Sequence, residues 1–316
     1  DWRIAAERVP YVRPLRGDDL RGLPNVYRDF PDVFHPDFEA AADEFAAQLR
    51  DTVEDPALIG YFLMNEPTWG FASEPPAVGM LFNTAECYSR QALSETLRKK
   101  YGSEAALADA WGSGVTFAAV AAGRWSRAIT AEAVADLTAF SEQMVVRYFS
   151  VLSAACRRVD PNHLNLGIRY YTVPPEWAVR GMCVFDVFSM NCYRKRVTAA
   201  EMAQIHELLG MPIMVGEWHF GALDVGLPAS GIGHVPDQTA RGEAFRVYLE
   251  DAAAKPWCVG VHYFQLYDQS AVGRFDGENY NIGFVDVCSR PYAPLVTAAR
   301  ASHERLYQVA AGEVEP

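Results

Sequence analysis

Apolar residues fall into two alternating patterns along the chain. Short runs of β-branched and aromatic residues, VPYVRPL (9–15), LIGYFLM (58–64), LNLGIRY (164–170), VFDVFSM (184–190), PIMVG (212–216) and VGVHYFQL (259–266), have the length and make-up of strands. Between them lie longer segments, 35–53, 129–159, 198–210 and 238–255, whose apolar positions recur every three or four residues and predict helices. The strand segments are apolar almost continuously, as expected when both faces of a sheet are covered. Alternation of such strands with helices predicts an α/β fold with a parallel sheet and helices outside it.

Two parallel architectures meet this description. A doubly wound nucleotide-binding sheet carries G-x-G-x-x-G or G-x-x-x-x-G-K after an early strand, and neither occurs. A (β/α)8 barrel places reactive groups at the C-terminal ends of several strands. Here strand after strand ends in a polar or aromatic residue: Glu66, Arg169, Asn191 with Tyr193, Glu217 with His219, and Gln265. The expected fold is therefore a (β/α)8 TIM barrel over residues 1–316, with segment 71–128, too long for an ordinary βα loop, forming a helical cap beside the site.

Composition narrows the function classes. Apolar residues make up 50% of the chain and aromatic ones 12%, ample for a core. With 28 basic and 40 acidic residues the formal charge is −12, and no Lys/Arg block follows a phosphate backbone, which argues against nucleic acid as a partner. No apolar run approaches the roughly 20 residues needed to cross a membrane. The chain starts at Asp1 without a charged and then apolar leader, so it reads as soluble and trimmed at its start, with cytoplasm and secretion both open. Six scattered cysteines without C-x-x-C, and histidines without H-E-x-x-H, read as small buried hydrophobes and predict no metal site. A homo-oligomer is left open.

Two carboxylates carry the chemistry. The run LIGYFLM leads directly into Asn65-Glu66-Pro67, and GMPIMVG leads into Glu217. Barrel closure brings such strand ends to one mouth. Glycoside hydrolysis needs such a pair: one carboxyl to protonate a poor leaving oxygen, the other to meet the oxocarbenium carbon on its opposite face.

At these residues the chain resembles the retaining glycoside hydrolases of clan A, in which N-E-P carries the acid/base and a later G-E the nucleophile. GEWHFGALDVG (216–226), QTARGEAFRVYLE, VGVHYFQLYDQ (259–269) and GRFDGENYNIGFVD (273–286) are similar to the β-agarases of glycoside hydrolase family 50, and KKYGSEAALADAWG (99–112) to the family 42 β-galactosidases. The resemblance implies Glu66 as acid/base, Asn65 as the amide on the sugar 2-hydroxyl, Glu217 as nucleophile and Tyr193 as the tyrosine orienting it. It implies that His219, Gln265, Asp276, Glu278 and Asn279 line the innermost sugar sites; Trp69 is a candidate to stack on a sugar face, and Arg169 and Asn191 are read either as substrate-binding residues or as supports behind them. Tyr263 stands where the family usually has Trp, which bears on sugar preference. Each of Trp69, His219 and the turn 276–279 also has a plain structural reading as packing or turn residues.

In that family the N-E-P strand follows three βα units, about 90 residues at about 30 each, yet here it opens at Leu58. The first one or two units are therefore expected upstream, in a longer chain or a separate piece. The implied activity is retaining hydrolysis of a galactose-containing glycan, agarose or its oligosaccharides first, with no cofactor. The alternatives are a β-galactosidase or other clan A glycosidase, and a carbohydrate-binding pseudo-enzyme without turnover.

Overall fold

The apolar runs become parallel strands, and the computed structural model describes them within residues 9–16, 20 and 22–316. The chain divides into two compact units: residues up to Ile168 with Pro174–Asp186, and Arg169–Val173 with Val187–Pro316.

The first unit contains β1 (Tyr11–Pro14), an antiparallel hairpin of β2 (Asn25–Tyr27) and β3 (Phe30–Pro31), helix α1 (Phe38–Ala46), and strands β4 (Leu58–Phe62) and β5 (Met64–Asn65). Segment 71–128 holds α2 (Pro76–Asn83), α3 (Tyr88–Tyr101), α4 (Glu104–Trp111) and α5 (Phe117–Ala121); then come α6 (Ala131–Val159), β6 (Leu164–Asn165) and α7 (Glu176–Arg180). Strands β1, β4 and β6 form one parallel sheet in that order. Three of these helices start where the sequence supplies a side-chain acceptor: Ser103, Thr116 and Thr130 cap α4, α5 and α6. Helix α3 ends at Gly102 with φ +71°, a conformation that costs glycine nothing. Ala133, Leu137, Phe140, Met144, Phe149, Leu152 and Cys156 form the buried face of α6, against which α1 and α2 pack.

The expected strand 164–170 is broken. Gly167 has φ +70°, and a Cβ there would lie 2.4 Å from the Phe185 ring, so the chain kinks and pairing resumes at Ile168. The second unit contains β7 (Ile168–Tyr170) from Arg169 onward, β8 (Phe188–Met190), α8 (Ala199–Leu209), β9 (Ile213–Trp218), α9 (Gln238–Ala253), β10 (Cys258–Tyr263) and α10 (Ala293–Ala310). Arg169 pairs with Ser189, Ser189 with Met214, and Val215 with Val261, all in parallel. All six residues of β9, which lies between β8 and β10, are buried. Trp218 leaves its end toward the helices, stacked 4.2 Å from the Tyr248 ring of α9. Arg241, wholly buried on α9, ties this layer together through the Phe220 carbonyl (2.7 Å), the Tyr263 hydroxyl (3.1 Å) and the Gly283 carbonyl (2.6 Å).

The architecture is thus mixed α/β with parallel sheets. Among the described residues no helix is long and apolar enough to cross a membrane. The six cysteines are free; Cys87, Cys156 and Cys192 are buried and Cys258 half-buried, whereas Cys183 and Cys288 are exposed rather than packed as small hydrophobes.

Candidate active site

Glu217 sits near the C-terminal end of β9 with 7% of its surface exposed. A carboxylate so buried is costly unless both oxygens are met. Both are: Nη1 of Arg169, on β7, lies 2.9 Å from Oε1, and the Tyr193 hydroxyl, just past β8, donates to Oε2 at 2.6 Å. Three parallel strands therefore each contribute one member of the group. Gly216 makes this possible, since a Cβ there would stand 2.6 Å from Cγ of Arg169 and 2.7 Å from Oδ1 of the buried Asn191. The glycine of the G-E pair is the gap through which the guanidinium reaches the carboxylate.

His219 packs its ring 4.7 Å from that of Tyr193, and its Nε2 accepts the Ile232 N–H at 3.0 Å. Burial, and then the charge of Arg241, pull its pKa down to about 3, so the ring is neutral with its hydrogen on Nδ1. Gly231 and Gly233 allow this loop to close over it, because a Cβ at Gly231 would be 2.5 Å from Nε2 and one at Gly233 2.1 Å from the His219 carbonyl oxygen. His262 on β10 is pulled below the usual histidine range by burial and then by the charge of Arg169.

Past β10, Gln265 is half-buried, and a tight turn brings Arg274 to both Asp276 and Glu278. Hydrogen bonding to Arg274 holds Asp276 below the usual carboxylate range, while Glu278 also accepts from Gln269 Nε2 at 2.7 Å. Asn279 follows, half-buried. Arg274 lies over the Phe264 ring, 5.7 Å from its centroid, and feels the charge of Glu217. Tyr263 points the other way, into Trp218, Phe245 and Phe284, with its hydroxyl donating to the Phe220 carbonyl at 3.0 Å. A cavity of about 290 Å³ opens beside Tyr193, lined also by Tyr171, Thr172, Asn191, Arg194 and Ile232.

In the first unit Asn65 ends β5, exposed, and Glu66 follows, half-buried, with φ +42°. Trp69 lies in the next short turn of 3-10 helix, 2% exposed and packed on Phe30 (5.3 Å, edge-on) and Trp177 (6.4 Å). The Asp29 carboxylate accepts the Thr68 and Trp69 N–H groups at 2.7 and 2.8 Å.

The second unit thus gathers Arg169, Asn191, Tyr193, Glu217 and His219, all foreseen as strand-end residues. Arg274 and His262 were not foreseen: each reads as an ordinary surface or strand residue until the turn and the sheet bring its charge or ring to the others. Asp29 gave no sequence signal beyond a polar pair between two aromatic residues.

No family model matches the chain. It is 31% identical over 292 residues to β-agarase B of Vibrio sp. (strain JT0107), covering 88% of this chain and 30% of that protein. The crystal structure of an agarase, AgWH50C, superposes with a TM-score of 0.86 at 31% identity, covering 95% of this chain and 45% of that one. The structure of an exo-β-agarase gives 0.85 at 31% identity, with 95% and 43% covered. The chain spans about a third of the length of the curated relatives it matches, and over that stretch it is a homologue of the β-agarases.

Proposed function

We propose that the chain is the catalytic part of a retaining β-agarase-like glycoside hydrolase acting on agarose or its oligosaccharides, with Glu217 as nucleophile and Glu66 as acid/base. The observation that carries this reading is the double anchoring of Glu217: a buried carboxylate met by a guanidinium and a phenol is fixed in direction and kept anionic. A nucleophile needs both properties, whereas a buried acid serving only as a structural tie needs neither tyrosine nor neutral histidine beside it. In the first step Glu217 attacks the anomeric carbon while Glu66 protonates the leaving glycosidic oxygen. In the second, Glu66 takes a proton from the water that hydrolyses the glycosyl-enzyme. Neither step calls for a cofactor.

Around this pair Asn65 would bind the sugar 2-hydroxyl, and His219, Gln265 and Asn279 would line the innermost sugar site. Asp276 and Glu278 would act by holding Arg274, and Trp69 by packing beneath the Glu66 turn. The relatives named β-agarase supply the substrate class. We further propose that the parallel strands belong to a (β/α)8 barrel with 71–128 as a cap. Strands β1 and β10, each with one neighbour in its sheet among the described residues, would then take the remaining strands from outside 1–316.

The test uses the full-length protein with agarose, following the anomeric proton of the first-formed sugar by NMR. The β-configuration is expected first, and Glu217→Ala is expected to lose nearly all activity on every substrate. A first product of inverted configuration overturns the assignment of Glu217 as nucleophile.

A further inference from the structure

Glu66 has a backbone conformation that a side chain other than glycine's rarely adopts, at φ +42°. Such a conformation is strained and persists only where the surroundings over-determine it. Local sequence supplies half of that constraint. Pro67 (φ −59°) fixes its own φ and brings no N–H, and the 3-10 turn Thr68–Phe71 starts at once behind it. The N–H groups that open a helical turn have no partner inside it, and Pro67 offers no side chain to meet them.

The other half comes from a distant hairpin. Strands β2 and β3 are joined by Arg28 and Asp29, with Tyr27 paired to Phe30. Arg28 is itself at φ +50°, so the tip is another strained non-glycine position. From that tip Asp29 spreads its carboxylate over the Thr68 and Trp69 N–H groups, while Nη1 of Arg28 donates to the Thr68 carbonyl at 3.1 Å. The neighbouring Tyr27 hydroxyl hydrogen-bonds Glu74, just beyond the same turn. The turn behind Glu66 is thus held at both donor and acceptor by two adjacent residues 40 positions upstream.

We propose that Asp29 is a positioning residue for the acid/base: it does not touch substrate, but locks the turn that holds the Glu66 carboxyl in its working direction. The inference rests on the reading of Glu66 given above. A misdirected acid loses the protonation of a poor leaving group and leaves untouched the step in which a good leaving group departs unaided. A general loss of structure removes both.

The experiment compares wild type, Asp29→Ala, Asp29→Asn and Glu66→Gln in the full-length protein. Two substrates are used: an agarose oligosaccharide, and the 2,4-dinitrophenyl β-glycoside of the sugar the enzyme itself releases. For Asp29→Ala we expect kcat/KM on the oligosaccharide to fall about tenfold to a hundredfold, the scale of a catalytic group displaced by about 1 Å. On the dinitrophenyl glycoside it should change less than about threefold, by the same reasoning. Asp29→Asn keeps one acceptor oxygen and the shape, so it should fold as wild type does and show a smaller loss of the same selectivity. Equal losses on both substrates in the Asn variant, or no loss on either, overturn the proposal while a selective Glu66→Gln leaves the acid/base standing. If Glu66→Gln loses both substrates alike, the acid/base assignment falls and this inference with it.

Discussion

Arg90 offers the sharpest test of how the helical segment 71–128 is held together. It is fully buried on α3, and its guanidinium donates to five backbone carbonyls: Val120 (2.8 Å), Thr84 (2.9 Å), Ala85 (3.0 Å), Ala119 (2.8 Å) and Gly123. Two of these follow the end of α2 and two lie at the end of α5, so the cation neutralises the negative ends of both helices. Among the described residues no carboxylate lies within ion-pair distance, and burial pulls the Arg90 pKa below its ordinary value. Replacing it by Met removes five bonds, each at about 1 kcal/mol or somewhat more, and strands carbonyls that water reaches poorly. Relief of the arginine's own desolvation returns several kcal/mol, leaving a net loss of about 3 kcal/mol. Lysine, with three donors and no planar fork, should recover about half of that loss. Urea unfolding gives the total, and hydrogen exchange of the α3 and α5 amides shows whether the loss is local. An Arg90→Met protein within about 1 kcal/mol of wild type, with α5 amides equally protected, would refute the reasoning.

Two further outcomes follow from the site. Gly216→Ala puts a methyl group within 2.6 Å of Cγ of Arg169, and should lower kcat/KM by about tenfold or more while far-UV circular dichroism is unchanged; wild-type activity would show that the gap is not needed. His219 titrates near 3 when folded and near 6.5 when unfolded, so the unfolded state alone takes up the proton between those values. Stability should therefore be unaffected by this residue above about pH 6.5 and fall by up to about 1.4 kcal/mol per unit below it, with His219→Gln reducing that slope; equal slopes for both proteins between pH 6 and about 4 would contradict the assignment.

The strand and helix segments were legible wherever a run was long and its period clean, as in 129–159, where the helix runs Ala131–Val159 behind the Thr130 cap. Helix α10 was not singled out, because its buried positions are Leu295, Ala299, Ser302 and Val309, too small and polar to write an apolar stripe. The β2–β3 hairpin escaped for a different reason: its strands are three and two residues long, and its turn is Arg-Asp rather than the Asn-Gly or Asp-Gly that favour positive φ. Within 71–128, expected as a helical cap, α3 and α4 are 14 and 8 residues long, whereas α5 has five and is capped by Thr116, too short for a period to be counted. At the site, polar residues at strand ends were visible as interruptions of apolar runs. Arg274 was not, because it is paired through a turn whose closure depends on positive φ at Gly273 and Gly277.

The contributions of three strands to Glu217 make the site a gauge of alignment. Arg169 stands opposite Ser189, and Met190 opposite Val215, so the guanidinium, phenol and carboxylate meet in one pairing scheme. A slip of one residue between any two of these strands would turn one partner to the opposite face while leaving a sheet of similar hydrogen-bond count and similar hydrophobicity. Such a misaligned molecule would look folded by spectroscopy yet carry a carboxylate with no counter-charge. Specific activity per folded molecule is then a finer measure of correct assembly for this chain than any measure of its secondary structure.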